Sequence, residues 1–118
     1  MVGHTGNIKA TIKACEKLDE LIGKIVSEAL TKGAVVIITA DHGNAEQKLN
    51  PNTGESYTEH TANPVPFILC TNDPALMRPL RSNGGEHGLI LSDIAPTILE
   101  IMNLPKPAEM TGQSLLQH

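Results

Sequence analysis

Between Asn7 and Lys32 the apolar residues Ile8, Ile12, Cys15, Leu18, Ile22, Ile25 or Val26, and Ala29 recur at steps of three and four. That spacing places them on one stripe of an α-helix. Gly33 follows, suited to the left-handed conformation that closes a helix, with Lys32 in the last turn where a cation meets the negative end of the dipole. Ala34-Val-Val-Ile-Ile-Thr-Ala40 comes next, β-branched and apolar on both faces, as a central strand of a parallel sheet reads. A long amphipathic helix feeding directly into a doubly buried strand predicts an α/β chain with a mostly parallel sheet.

The remaining chain fits that plan. Asp41 to Pro64 is polar and rich in turn residues (Asn50-Pro-Asn-Thr-Gly54), which predicts a long loop at the carboxyl end of the strand, where α/β folds place ligands. Val65-Pro-Phe-Ile-Leu-Cys70 predicts a second strand, with Pro66 near its end, at a bulge or on an edge because proline lacks a ladder donor. Asp73 to His87 reads as loop or short helix. Ser92 to Met102 reads as a short helix with Ser92 as cap and a regular part that begins around Ile94 to Pro96, since proline is tolerated only near a helix start. The tail, from Pro105 to Leu116, is expected to pack as irregular chain or a short strand. The 118 residues are expected to form a single domain, 1–118, with a modest core.

Composition narrows the function classes. A formal charge of −4 provides no broad basic surface for a phosphate backbone, and one Tyr, one Phe and no Trp leave few stacking platforms, so nucleic acid is not an expected partner. No stretch has the length and apolarity of a membrane helix, and the MVGHTGN start lacks the pattern of a signal peptide, so the expected location is the cytoplasm. Cys15 and Cys70 lack metal or redox spacing and read as small buried hydrophobes.

Three segments place metal-ligand residue types at element ends: Gly3-His4-Thr5-Gly6 before the helix, Thr39-Ala-Asp-His-Gly-Asn44 after the first strand, and His60-Thr-Ala-Asn63 before the second. Imidazole and carboxylate together suit zinc, manganese and similar divalent ions. Taken singly, each also suits a turn or a cap, Asp41-His-Gly especially.

Jointly, the strings VGHTGN, ITADHGNAEQ, EHTANPVPFIL and LSDIAPTILEIMNLPKPAEMTGQSL resemble consecutive C-terminal motifs of the cofactor-independent phosphoglycerate mutases, over nearly the whole chain. Alkaline phosphatases, sulfatases and phosphopentomutases are similar in the Asp-His-Gly and a later His, while GNAE and His-Thr-x-Asn-Pro-Val-Pro point to the mutase. The resemblance implies part of an alkaline-phosphatase-like three-layer sandwich with two manganese or magnesium ions. It assigns His4 and His60 to one ion and Asp41 and His42 to the other. It also implies interconversion of 2- and 3-phosphoglycerate in glycolysis through a phosphoserine, with no bisphosphoglycerate cofactor.

The sequence also departs from that family. The family's metal motif opens with an Asp four residues before the His, a position that falls ahead of Met1, and Ser27, Ser56, Ser82, Ser92 and Ser114 stand in no nucleophile context. The expectation is therefore a segment inactive alone, whose partner is the rest of the mutase chain. A stand-alone metal-binding module, or another metal-dependent phosphomutase or phosphohydrolase, are the alternatives. Arg78 and Arg81 read as solvated loop charges, His87 as a loop residue and His118 as a disordered end. With the strand edges and an apolar face uncovered, the chain is expected to self-associate, swap domains or be poorly stable.

Overall fold

The computed structural model describes residues 7–44, 47, 62–82 and 88–118. The chain folds as two compact units, Met1–Cys70 and Thr71–His118.

In the first unit, α1 spans Ile8–Thr31. The Asn7 side chain accepts a hydrogen bond from the Ala10 N–H at 3.0 Å, satisfying one of the donors that a helix start leaves over. At the other end, Gly33 takes φ +74°, its N–H donates to the Leu30 carbonyl, and the Ala34 N–H reaches the Ala29 carbonyl at 3.0 Å. This is a Schellman closure, as the glycine predicted.

Strand β1 spans Val36–Thr39 and β2 spans Phe67–Cys70, with Pro66 just outside the second strand as its missing donor requires. They pair antiparallel, with Val36 opposite Cys70 and Thr39 opposite Phe67. The α/β class holds, but the strand pair among the described residues is antiparallel where a mostly parallel sheet was expected. A four-residue strand apolar on both faces carries no signal for the direction of its neighbour, and mixed sheets accommodate both. The loop expected over Asp41–Pro64 lies largely outside the described residues.

Burial in this unit is shallow. Ile22, Val26, Ala29 and Leu30 on the C-terminal half of α1 are half-buried, while Ile8, Ile12 and Cys15 on the same stripe are exposed. Among the described residues of this unit no large apolar side chain is fully buried.

The second unit is built around a polar post. A 3₁₀ turn at Pro74–Leu76 is capped by Asp73, whose Oδ1 accepts from the Ala75 N–H at 2.9 Å. Another 3₁₀ turn, Leu91–Asp93, leads into α2, Ile94–Ile101. Pro96 falls in the first turn of α2, where its missing N–H has no helical partner to lose.

Ser92 does not cap this helix; it lies exposed in the preceding turn, and Asp93 occupies the boundary. Asp93, 4% exposed, accepts from the Ile90 N–H at 3.2 Å and the Gln113 N–H at 2.9 Å, and Arg81 Nη2 lies 3.3 Å from its Oδ2. One turn on, the buried Thr97 hydroxyl donates to the Asp93 carbonyl and accepts from the Leu115 N–H at 2.8 Å. These bonds draw the tail onto α2. Leu115 and Leu116 become the buried apolar core, and Leu116 bridges to Leu80. Gly112 passes so close to the Ser92 carbonyl that a Cβ there would collide with it.

Two expectations fail here for one reason. Arg81 is not a solvated loop charge: its Nε donates to the Ser114 carbonyl at 2.7 Å and its Nη2 to that of Gln113 at 3.1 Å. Arg78 likewise donates to Glu100 at 3.1 Å, and His118, expected to be disordered, places Nε2 3.1 Å from the same Glu100 oxygen. Their partners lie 12 to 33 residues away in sequence, a range that local reading does not reach. His87 lies outside the described residues.

Candidate metal centre

β1 delivers Asp41 and His42 to its carboxyl end. Because Thr39 pairs with Phe67, the segment entering β2, Ala62–Pro66, lies at that same end of the sheet. The two segments are tied directly: Asn63 Nδ2 donates to Gln47 Oε1 at 3.2 Å, joining the His60-Thr-Ala-Asn63 motif to the one holding Asp41 and His42. Sequence reading had named both motifs but not this bond. The antiparallel register is what makes it possible, and it was not legible.

The side-chain geometry of Asp41 and His42 fits a cation. His42 Nδ1 lies 3.0 Å from the Gly43 carbonyl oxygen, a pure acceptor, so Nδ1 carries the proton. In the neutral ring Nε2 then presents its lone pair. That nitrogen stands 3.5 Å from Asp41 Oδ1. Two electron-rich atoms face each other at a distance that a shared proton or a bound cation makes favourable, and a backbone carbonyl holding the far ring nitrogen is the usual way a metal-ligating imidazole is oriented. Asp41 is 88% exposed and His42 39%. Gly43 behind them is buried.

His4 and His60, the other two expected ligands, lie outside the described residues. His4 stands three positions before the α1 cap Asn7, and His60 two before Ala62. Among the described residues no group of three or more His, Cys, Asp or Glu is arranged to hold a metal. Asp41 and His42 form a two-ligand start.

These features define a class: an α/β chain that offers a carboxylate and an oriented imidazole, ligands for a divalent cation, at the end of a strand. The chain belongs to the metalloenzyme superfamily, whose profile matches residues 1–106. It is 51% identical over 117 residues to the 2,3-bisphosphoglycerate-independent phosphoglycerate mutase of Clostridium botulinum strain Langeland, covering 99% of this chain and 21% of that protein. It is 52% identical over 116 residues to the corresponding mutase of Clostridioides difficile strain 630, covering 98% of this chain and 22% of that one. Among solved structures, a phosphoglycerate mutase of Leishmania mexicana at low cobalt concentration superposes with a TM-score of 0.77 at 28% identity, covering 98% of this chain and 23% of that one. The fold is thus that of a part of the mutase structure, and the chain spans about a fifth of the length of the relatives it matches.

Proposed function

We propose that this chain is the segment of a cofactor-independent phosphoglycerate mutase that supplies Asp41 and His42 to one metal ion, and His4 and His60 to a second. The observation that carries the reading is the His42 ring, held through Nδ1 by Gly43 so that Nε2 faces the Asp41 carboxylate at 3.5 Å. The pair stands in a chain about half identical to such mutases along nearly its entire length.

Manganese or magnesium in that site would neutralise charge on the phosphoryl oxygens during transfer between the two hydroxyls of phosphoglycerate. The protein's own part is to hold its ligands. Asp41 brings a formal negative charge, the Gly43 carbonyl fixes the imidazole tautomer, and the Asn63–Gln47 bond keeps the second motif beside the first. No serine here is assigned as nucleophile, so the phosphoserine step and the phosphoglycerate contacts belong to the rest of the mutase chain. The same reading carries a place in glycolysis, two ions per complete enzyme, no bisphosphoglycerate cofactor and a cytoplasmic location. The free thiols of Cys15 and Cys70 suit that reducing compartment.

The test is a chimera in which these 118 residues replace the matching segment of the Clostridium botulinum mutase. Manganese-dependent conversion of 3- to 2-phosphoglycerate, reduced on the order of a hundredfold or more by His42→Ala or Asp41→Ala, is the expected result, since removing a metal ligand withdraws several kcal/mol of transition-state stabilisation. A soluble chimera with native secondary structure that binds manganese but has no mutase activity overturns the reading and leaves a metal-binding module.

A further inference from the structure

Asp41 and His42 stand between two fixed points of the fold. On one side, Thr39 at the end of β1 pairs with Phe67 at the start of β2. On the other, the Gln47 N–H donates to the Asn44 carbonyl at 3.2 Å, and Gln47 Oε1 accepts from Asn63 Nδ2 at 3.2 Å. Asn63 leads back to Phe67 through Pro64 and Pro66, whose rings fix φ and restrict the residues before them. The path therefore closes on itself. It runs out from Thr39 past the two ligands, across the amide pair, and back along a stiff segment to the rung where it began.

Closure matters because packing gives Asp41 little support, its side chain being almost fully exposed. A segment fixed at both ends samples fewer arrangements than one fixed at a single end, so less order remains to be imposed when a ligand binds. The His42 ring is the sensitive point. Which of its nitrogens carries the proton is set by the hydrogen bond that the ring makes. In water, without such a bond, the Nε2–H form prevails. The Nδ1–H form, with Nδ1 3.0 Å from the Gly43 carbonyl oxygen, needs that carbonyl to stay in place one residue before Asn44, where the turn to Gln47 starts.

We propose that Gln47 and Asn63 are positioning residues for the metal site. Their side-chain bond holds the turn after β1, so that the His42 ring keeps Nδ1 on the Gly43 carbonyl and Nε2 toward Asp41. This rests on the reading of Asp41 and His42 as metal ligands, and it adds two residues that act on an ion only through that pair.

The experiment has two readouts. One is the nitrogen-15 spectrum of the His42 ring in the 118-residue chain, with EDTA present and at about pH 9, where imidazoles are neutral. The other is manganese affinity by titration calorimetry in the chimera with the Clostridium botulinum mutase. The parent is expected to show the Nδ1–H pattern. Gln47→Met and Asn63→Leu match the amides in size but not in hydrogen bonding. Each should bring in the Nε2–H form and weaken manganese binding roughly three- to tenfold, the factor that corresponds to one neutral hydrogen bond. The double variant should match either single one, because each removes the same bond. Gln47→Glu keeps an acceptor at Oε1 and should keep the parent's tautomer. Either readout left unchanged by Gln47→Met, additive losses in the double variant, or a Gln47→Glu ring that behaves like that of Gln47→Met, overturns the proposal. A parent chimera that binds no manganese overturns the metal reading instead, and the tautomer then shows separately whether the amide pair holds the ring.

Discussion

Glu100 on α2 meets Arg78 at 3.1 Å through the same oxygen that His118 approaches at 3.1 Å. Burial pushes its carboxyl up, but the Ser114 hydroxyl, the Arg78 hydrogen bond and the nearby charges of His118 and Arg78 outweigh it, and the net shift is downward from 4.5. A carboxylate depressed in the folded state stabilises fully above its unfolded value. That contribution is lost as pH falls from about 4.5 through the folded value, where the native state takes up the proton. Urea midpoints measured from pH 6 down to pH 3 are therefore expected to show a stability gap between the parent chain and Glu100→Gln that is constant above about pH 5 and closes below it. A gap independent of pH would remove the ion pairs from the account. None of this was legible in sequence, where Arg78, Glu100 and His118 are three unconnected charges. By contrast Asp41 and His42 were legible as candidate ligands, because adjacency and a strand end already place them together.

At the scale of the element, the helix was readable nearly to the residue, since its period and its glycine stop are both local; the Asn7 cap emerged only in the structure. The strands were legible as apolar runs and were trimmed to four residues each, Pro66 marking the start of β2 as its chemistry requires. The helix α2 shows where local reading ends. Asp93 takes the boundary from Ser92 because its carboxylate also anchors Gln113 and Arg81, and the helix closes on Asn103 at φ 55°, with the Leu104 N–H on the Leu99 carbonyl. The two Schellman ends differ in residue, and that difference is testable. Replacing Gly33 by Ala puts a Cβ at φ +74° in open space, so the cost is conformational alone, about 1–2 kcal/mol. Thermal melting is expected to show a lower midpoint for Gly33→Ala, and Asn103→Gly should move it far less, as asparagine tolerates the left-handed region. Equal melting of Gly33→Ala and the parent would mean that the helix end is not held as described.

On the scale of the whole molecule, the first unit is short of cover. Ile8, Ile12, Leu18, Leu21 and Ile25 of α1 are 42 to 62% exposed, and Ile68 on β2 is 47% exposed. Full burial of such side chains stabilises by about 1.5–3 kcal/mol each, so a half-exposed stripe forgoes roughly 1 kcal/mol per residue. The chain spans about a fifth of its mutase relatives, and a helix face patterned for burial but left in water is an association surface. Sedimentation velocity across a hundredfold concentration range should reveal dimers or larger species whose weight-average coefficient rises with concentration. The stripe makes the source specific: Ile12→Lys with Ile25→Lys, both at exposed positions on α1, should return the chain to a monomer without loss of helix, because lysine is a good helix former. Helix loss with monomerisation would instead mean that association is what holds α1 together, and the stripe would still be the contact. A single sharp monomer boundary for the parent chain at the highest concentration would show that the exposed stripe tolerates water, and the self-association argument would fall with it.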